Sequence, residues 1–331
     1  MDIPQPFRIF YNTTIHPALM RLESERKQLW RWIFIAAIVA ILLFIVFTVV
    51  AVPMLWYFYG LGLVGFFVWW SGKVTAFKLH FKPNIVNLVI DYIDNASNIG
   101  TLEYKVNASI SKKTFQQSRL FNSAMPEFVG EDYITGTIGE LAFEMSELSV
   151  MNFSDVRLRL DTVFSGVFLH ATFRHDRNAD LIINKKDIVR RELPGDIIIF
   201  PRVRKPQMTP TIKAFTRELG WEVVEGKNAA FSGKFVKGFK ELFCVYAMRH
   251  ARPENFLTDE MQKALVAYHE KTQKEMHLSL RGQDVFIAVE QQKDLLEPTI
   301  WRSNTSFELI REFYNDIQLL LEIVLDVDAN N

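Results

Sequence analysis

The sequence predicts an α+β protein: an N-terminal transmembrane helical hairpin, then a mixed, mainly antiparallel sheet domain with flanking helices. Three observations carry this prediction. From Trp32 to Gly72 there is no Asp, Glu, Lys or Arg, and Pro53 is the one proline. From Tyr104 onward the apolar period shortens to two. Helical periodicity then returns after and between the strands, an order that argues for α+β.

The uncharged run is 41 residues long. As one helix it would reach roughly 60 Å, about twice the ~30 Å hydrocarbon core of a bilayer. Two spans fit better, 33–52 and 54–70, with a turn near Ala51–Met54 because proline lacks an amide donor and disfavours helix before it. Trp30, Trp32, Trp69 and Trp70 would mark one membrane interface, and Trp56, Tyr57 and Tyr59 the other. Arg21, Arg26, Lys27 and Arg31 precede the first span, Lys73, Lys78 and Lys82 follow the second, and the turn is uncharged. The positive-inside rule therefore places both termini in the cytoplasm, with the lipid bilayer as a partner. A secretory signal fits poorly, since the run starts late, is too long and contains a second span.

Residues 1–32 contain an amphipathic helix over Thr14–Arg31, with Ile15, Leu19 and Leu22 at helical spacing. It lies on the membrane surface or runs straight into the first span. Beyond the hairpin, Pro83 suits a first helical position, with Ile85, Leu88, Val89, Tyr92 and Ile93 on one face and a stop near Asn98–Gly100. Strands are expected at Tyr104–Ile110, Tyr133–Ile138, Glu140–Glu147, Ser165–Phe173 and Asp196–Phe200. Three prolines and three basic residues in Pro201–Pro210 have linker composition. The soluble portion then divides into 73–204 and 205–331, with one domain or two left open. The later part predicts strands at Trp221–Val224 and Lys240–Ala247 and a helix capped by Thr258 and ending near Lys274. A hairpin follows, formed by Met276–Leu280 and Asp284–Val289 around Arg281-Gly282-Gln283. The last helix opens on Thr305 and Glu308 and buries Leu309, Phe313, Ile317, Leu320, Leu321 and Val324.

Composition narrows the function. Basic and acidic residues balance at 38 each, so no global field recruits nucleic acid. The lone Cys244 cannot form an internal disulfide, which agrees with a reducing compartment. No motif calls for a cofactor or metal. Gly60, Gly62 and Gly65 spell G-x-G-x-x-G, but inside an apolar span they suit helix packing, against the first span or another protomer. None of the seven histidines forms a zinc motif, and on a strand His170 and His175 would face opposite ways. They read as surface or partly buried side chains. Glu131 and Asp132, paired acids ahead of a strand, are the weak catalytic candidates. Ser165-Gly166 lacks a nucleophile elbow. Phe231, Phe235, Phe239 and Phe243 read as core packing.

Taken in order, the two spans, Ser118-Arg119-Leu120-Phe121, Glu131-Asp132-Tyr133 with Gly136, Phe164–Phe168, Phe239-x-x-x-Phe243 leading into Val245-Tyr246-Ala247, and Leu257-Thr258 resemble a bacterial membrane-protein family catalogued only as a domain of unknown function. The stretch Arg174–Arg204 departs from its pattern. The resemblance implies a two-span inner-membrane anchor with a large soluble portion, and a protein partner of the LemA type, a helical membrane protein. The leading expectation is a membrane-anchored protein-interaction or scaffold module. The alternatives are a membrane-tethered enzyme with its site near Glu131 and Asp132, and a hairpin-mediated oligomer or channel.

Overall fold

Two long helices begin the chain. The computed structural model describes residues 5–50, 53–96, 102–121, 125–138, 141–154, 159–173, 197–201, 221–223, 235–248, 257–281, 283–291 and 296–329. The chain forms two compact units, Met1–Ile93 with Leu296–Tyr314, and Asp94–Leu295 with Asn315–Asn331.

In the first unit, α1 (Gln5–Phe10) passes through a π-helical turn, Tyr11–Ile15, into α2 (His16–Val50), and α3 covers Pro53–Ala96. The amphipathic segment and the first span are thus one helix, which starts before the expected Thr14. Phe7, Tyr11, Ile15 and Leu19 recur every four residues, a step that drifts around an ideal α-helix. The wider π turn absorbs that drift, and all four side chains are buried. The expected turn at Ala51–Val52 lies outside the described residues, and Pro53 opens the second helix. The helices run antiparallel. Trp32 meets Trp69 edge-on at 6.1 Å, Phe44 meets Trp56 at 5.4 Å, and the Tyr59 hydroxyl donates to the Ala40 carbonyl at 3.3 Å.

Pro83 does not start a new helix; α3 runs through it. The buried face formed by Phe77, Phe81, Ile85 and Val89 is continuous across the proline, and its packing outweighs the missing amide bond. Asn84 Nδ2 also donates to the His80 carbonyl at 2.8 Å. The predicted stop at Asn98–Gly100 lies outside the described residues.

The 296–314 segment belongs to this unit. Ile300 O accepts from Arg26 Nη1 at 2.8 Å and Trp30 Nε1 at 2.6 Å, and Glu297 pairs with Lys78 at 2.6 Å and Lys82 at 3.3 Å.

The second unit holds a nine-stranded sheet in the order β1-β2-β3-β4-β9-β8-β5-β7-β6. Its strands are β1 (Glu103–Lys105), β2 (Glu127–Ile138), β3 (Leu141–Ser154), β4 (Arg159–Phe173), β5 (Ile197–Pro201), β6 (Trp221–Val223), β7 (Phe243–Met248), β8 (Met276–Arg281) and β9 (Asp284–Glu290). Every pairing among the described strands is antiparallel, so the fold is α+β without the parallel pairs that "mixed" allowed. The division expected at 204/205 falls inside this one sheet.

The strand expected at Tyr104–Ile110 is cut to three residues. Ser111 caps α4 (Lys112–Gln117) by accepting from the Thr114 amide, a helix that was not anticipated because KKTFQQ has no apolar period. Phe115 of α4 stacks on Phe121 and touches Phe128, Phe164 and Phe168, forming a core on one sheet face with Ile110, Leu148, Val150 and Phe286. Lys240–Ala247 is split into a short helix, α5 (Phe239–Leu242), and β7; Phe235, Phe239 and Phe243 stack in series and the last two are buried, in line with core packing. Phe231 lies outside the described residues. α6 (Asp259–Thr272) is capped by Thr258 as expected, β8 and β9 form the expected hairpin, and α7 (Phe307–Ala329) starts two residues after Thr305. Both faces of β8 and β9 are buried.

Candidate functional site

A polar cluster sits on the sheet face shared by β2, β3, β4 and β9. Register places Glu144 opposite His170 and Thr172 opposite Asp284, so strand alternation aims all four to one side. His170 Nδ1 lies 2.9 Å from Glu144 Oε1, and Nε2 lies 2.9 Å from Asp284 Oδ1. Thr172 donates its hydroxyl to Asp284 at 2.8 Å, and Tyr133 donates to Glu144 at 2.8 Å. The imidazole stacks on Phe286 at 4.7 Å and 13°.

Burial opposes charge on His170, yet the hydrogen bonds and charges of Asp284 and Glu144 outweigh it and push its pKa up to about 9. Glu144 and Asp284 are each held below the ordinary carboxylate value, chiefly by the hydrogen bond from His170. Burial, then Glu144, raises the Tyr133 phenol to about 12. At neutral pH His170 is an imidazolium that donates from both nitrogens. In that form it ties β3, β4 and β9 together through hydrogen bonds to Glu144 and Asp284.

Glu131 and Asp132 do not lie at a loop mouth ahead of a strand, as expected, but within β2, whose edge runs back to Glu127. A bulge between Glu131 and Ile134 places Asp132 at φ 57°, a left-handed conformation that Asp tolerates better than most residues. Its amide donates to the Val106 carbonyl at 3.0 Å, and Oδ1 accepts from the Tyr104 hydroxyl at 2.5 Å. Burial and the neighbouring Asp132 charge hold the Tyr104 phenol far above its usual value. Glu147 stands opposite Glu131, and oxygens of these three acids fall within 4.8 Å of one another.

The remaining predicted residues lie in the first unit. An ideal Cβ on Gly60, Gly62 or Gly65 meets no heavy atom within 4 Å among the described residues, so these glycines make no close contact there, and packing against another protomer stays a reading of the sequence. Aromatic pairs, Trp32 with Trp69 and Phe44 with Trp56, make contacts between the two helices. Trp32, Trp56, Tyr57 and Trp69 are exposed. Trp30 and Trp70 instead turn toward Trp301, with ring centroids 5.5 and 6.5 Å away.

The His170 cluster escaped sequence reading because its members, Tyr133, Glu144, His170, Thr172 and Asp284, come from four strands, and only register unites them. One signal was present: His170 and Thr172 alternate with buried Leu169 and Ala171 in FLHATF, placing polar groups on one strand face.

Together these features define a class: an α+β sheet protein joined to two helices long and apolar enough to cross a membrane. In each helix the apolar window is 0% buried, unlike the core helix of a soluble protein. The chain belongs to a family described as Protein of unknown function (DUF3137), whose model matches residues 162–329, from β4 to the end of α7. That span includes His170 and Asp284. No curated protein and no solved structure matches the chain.

Proposed function

We propose that the chain is a bacterial inner-membrane protein with both ends of its hairpin in the cytoplasm, whose sheet domain docks a protein partner. The observation that carries this is an exposed apolar row on the sheet. Phe153 of β3 stands opposite Leu160 of β4, at 48% and 45% exposure, and Val129 of β2 is 55% exposed on the same face. Glu131 and Glu147 lie beside Val129 on that face. Apolar side chains next to a cluster of carboxylates suit a partner helix with an apolar stripe and basic flanks. A LemA-type helical membrane protein is the candidate partner.

Co-expression and purification in detergent test this reading. The wild-type chain should co-purify with the LemA-type protein encoded by the same organism, and Phe153→Asp with Leu160→Asp should lose it while keeping the wild-type unfolding temperature. No association of the wild type would refute the partner. Reporter fusions at both ends test the topology, and a periplasmic signal from either would refute it.

A further inference from the structure

Where α2 and α3 leave the uncharged run, they line an open cleft of about 590 Å³. That volume lies within the range of small-molecule sites. α2 contributes Glu25, Gln28 and Trp32, spaced three and four apart on one stripe, and α3 contributes Trp69, Lys73 and His80 on its facing stripe.

Three properties of the cleft point to one kind of ligand. It straddles the boundary of the apolar run: Trp32 and Trp69 lie inside it, while Lys73 is the first charge after it. In a bilayer that is the level of the headgroups. Its charges are also paired in sign. Among the described residues Lys73 makes no ion pair and can hold a phosphate, and Glu25 offers an anion whose one ion-pair neighbour is the ring of His80 at 3.7 Å, which is charged only if protonated. Finally, the two indoles, edge-on at 6.1 Å, form an apolar wall on the membrane side.

We propose that this cleft binds the headgroup of a phosphatidylethanolamine, with the phosphate on Lys73, the primary ammonium on Glu25 and Gln28, and the glycerol end against Trp32 and Trp69. A glycerol headgroup brings no ammonium to Glu25, and a choline headgroup has no N–H to donate. This inference rests on the hairpin crossing the bilayer.

Native mass spectrometry of the full chain, released from nanodiscs containing equal parts phosphatidylethanolamine, phosphatidylglycerol and phosphatidylcholine, tests it. The wild type should retain phosphatidylethanolamine several-fold over the other two. Lys73→Met and Glu25→Gln should each reduce that retention by about threefold, the scale of one exposed charge contact. Equal retention of the three lipids, or retention unchanged in both variants, would overturn the site. Resistance of the chain to carbonate extraction from membranes reads insertion separately. Extraction into the supernatant would remove the anchor and the site together, whereas insertion without lipid preference would remove only the site.

Discussion

Replacing His170 by Gln removes one charge from a cluster that holds three. The folded chain raises the pKa of His170 from 6.5 to about 9, a difference worth about 3 kcal/mol in favour of the protonated folded state. Because the folded value is the higher one, this contribution is complete below pH 6.5 and is lost as pH rises through 9. Glu144, Asp284 and Thr172 face the imidazole, Tyr133 bonds Glu144, and Arg281 lies close enough to Asp284 to lower its pKa. In the Gln variant the two carboxylates keep their burial but lose the hydrogen bonds and charge that chiefly hold their pKa values down. Wild type should therefore exceed His170→Gln by about 3 kcal/mol at pH 6, or roughly 6–12 °C for a domain of this size. The gap should close toward pH 10. Thermal unfolding of both proteins in the same detergent, followed by near-ultraviolet circular dichroism at pH 5, 6, 8 and 10, measures it. A gap that stays constant across this range would refute the ionic assignment and leave His170 as packing alone.

Three further perturbations read other parts of the fold. Gly166 has φ 147°, and an added Cβ would meet Val289 O at 2.1 Å and Gln291 N at 2.7 Å; Gly166→Ala should cost about 3 kcal/mol or more, seen as a lowered unfolding midpoint. Phe115, 1% exposed and in contact with four other phenylalanine rings, should cost about 3–5 kcal/mol on change to Ala, with a matching loss of near-ultraviolet signal. Asp132→Ala removes the acceptor of the Tyr104 hydroxyl and the residue type that tolerates the bulge; an unfolding measurement should show a loss of about 1–3 kcal/mol, and unchanged stability would return Asp132 to consideration as a chemical group.

Elements with local signals were legible in the sequence. The Thr258 cap and the hairpin around Arg281–Gln283 rest on neighbouring residues and stand where local chemistry puts them; the two long apolar helices are present, and the alternating segments read in β3 and β4 are parts of longer strands, Leu141–Ser154 and Arg159–Phe173. What was not legible depends on packing at a distance. Pro83 reads locally as a helix start, but the apolar face on either side of it carries α3 onward. α4 has almost no apolar period and is held by one buried side chain, Phe115, with a Ser111 cap. The pairing of β4 with β9 joins residues more than a hundred positions apart, and the site at His170 exists only through that pairing.

The same distinction bears on function. Asp132 is a catalytic candidate of the sequence and His170 the centre of the cluster that register assembles, and each is already engaged: His170 between two carboxylates, Asp132 as the acceptor of a buried phenol within a bulge. A group bound this closely by its own fold contributes to register before it contributes to turnover. Val129, Phe153 and Leu160 are different in kind, because apolar area left in water on a sheet costs stability and has no internal role among the described residues. Covering that row would recover the cost, which is the physical ground for the proposed docking, and a partner with basic residues would suit Glu131 and Glu147 beside it.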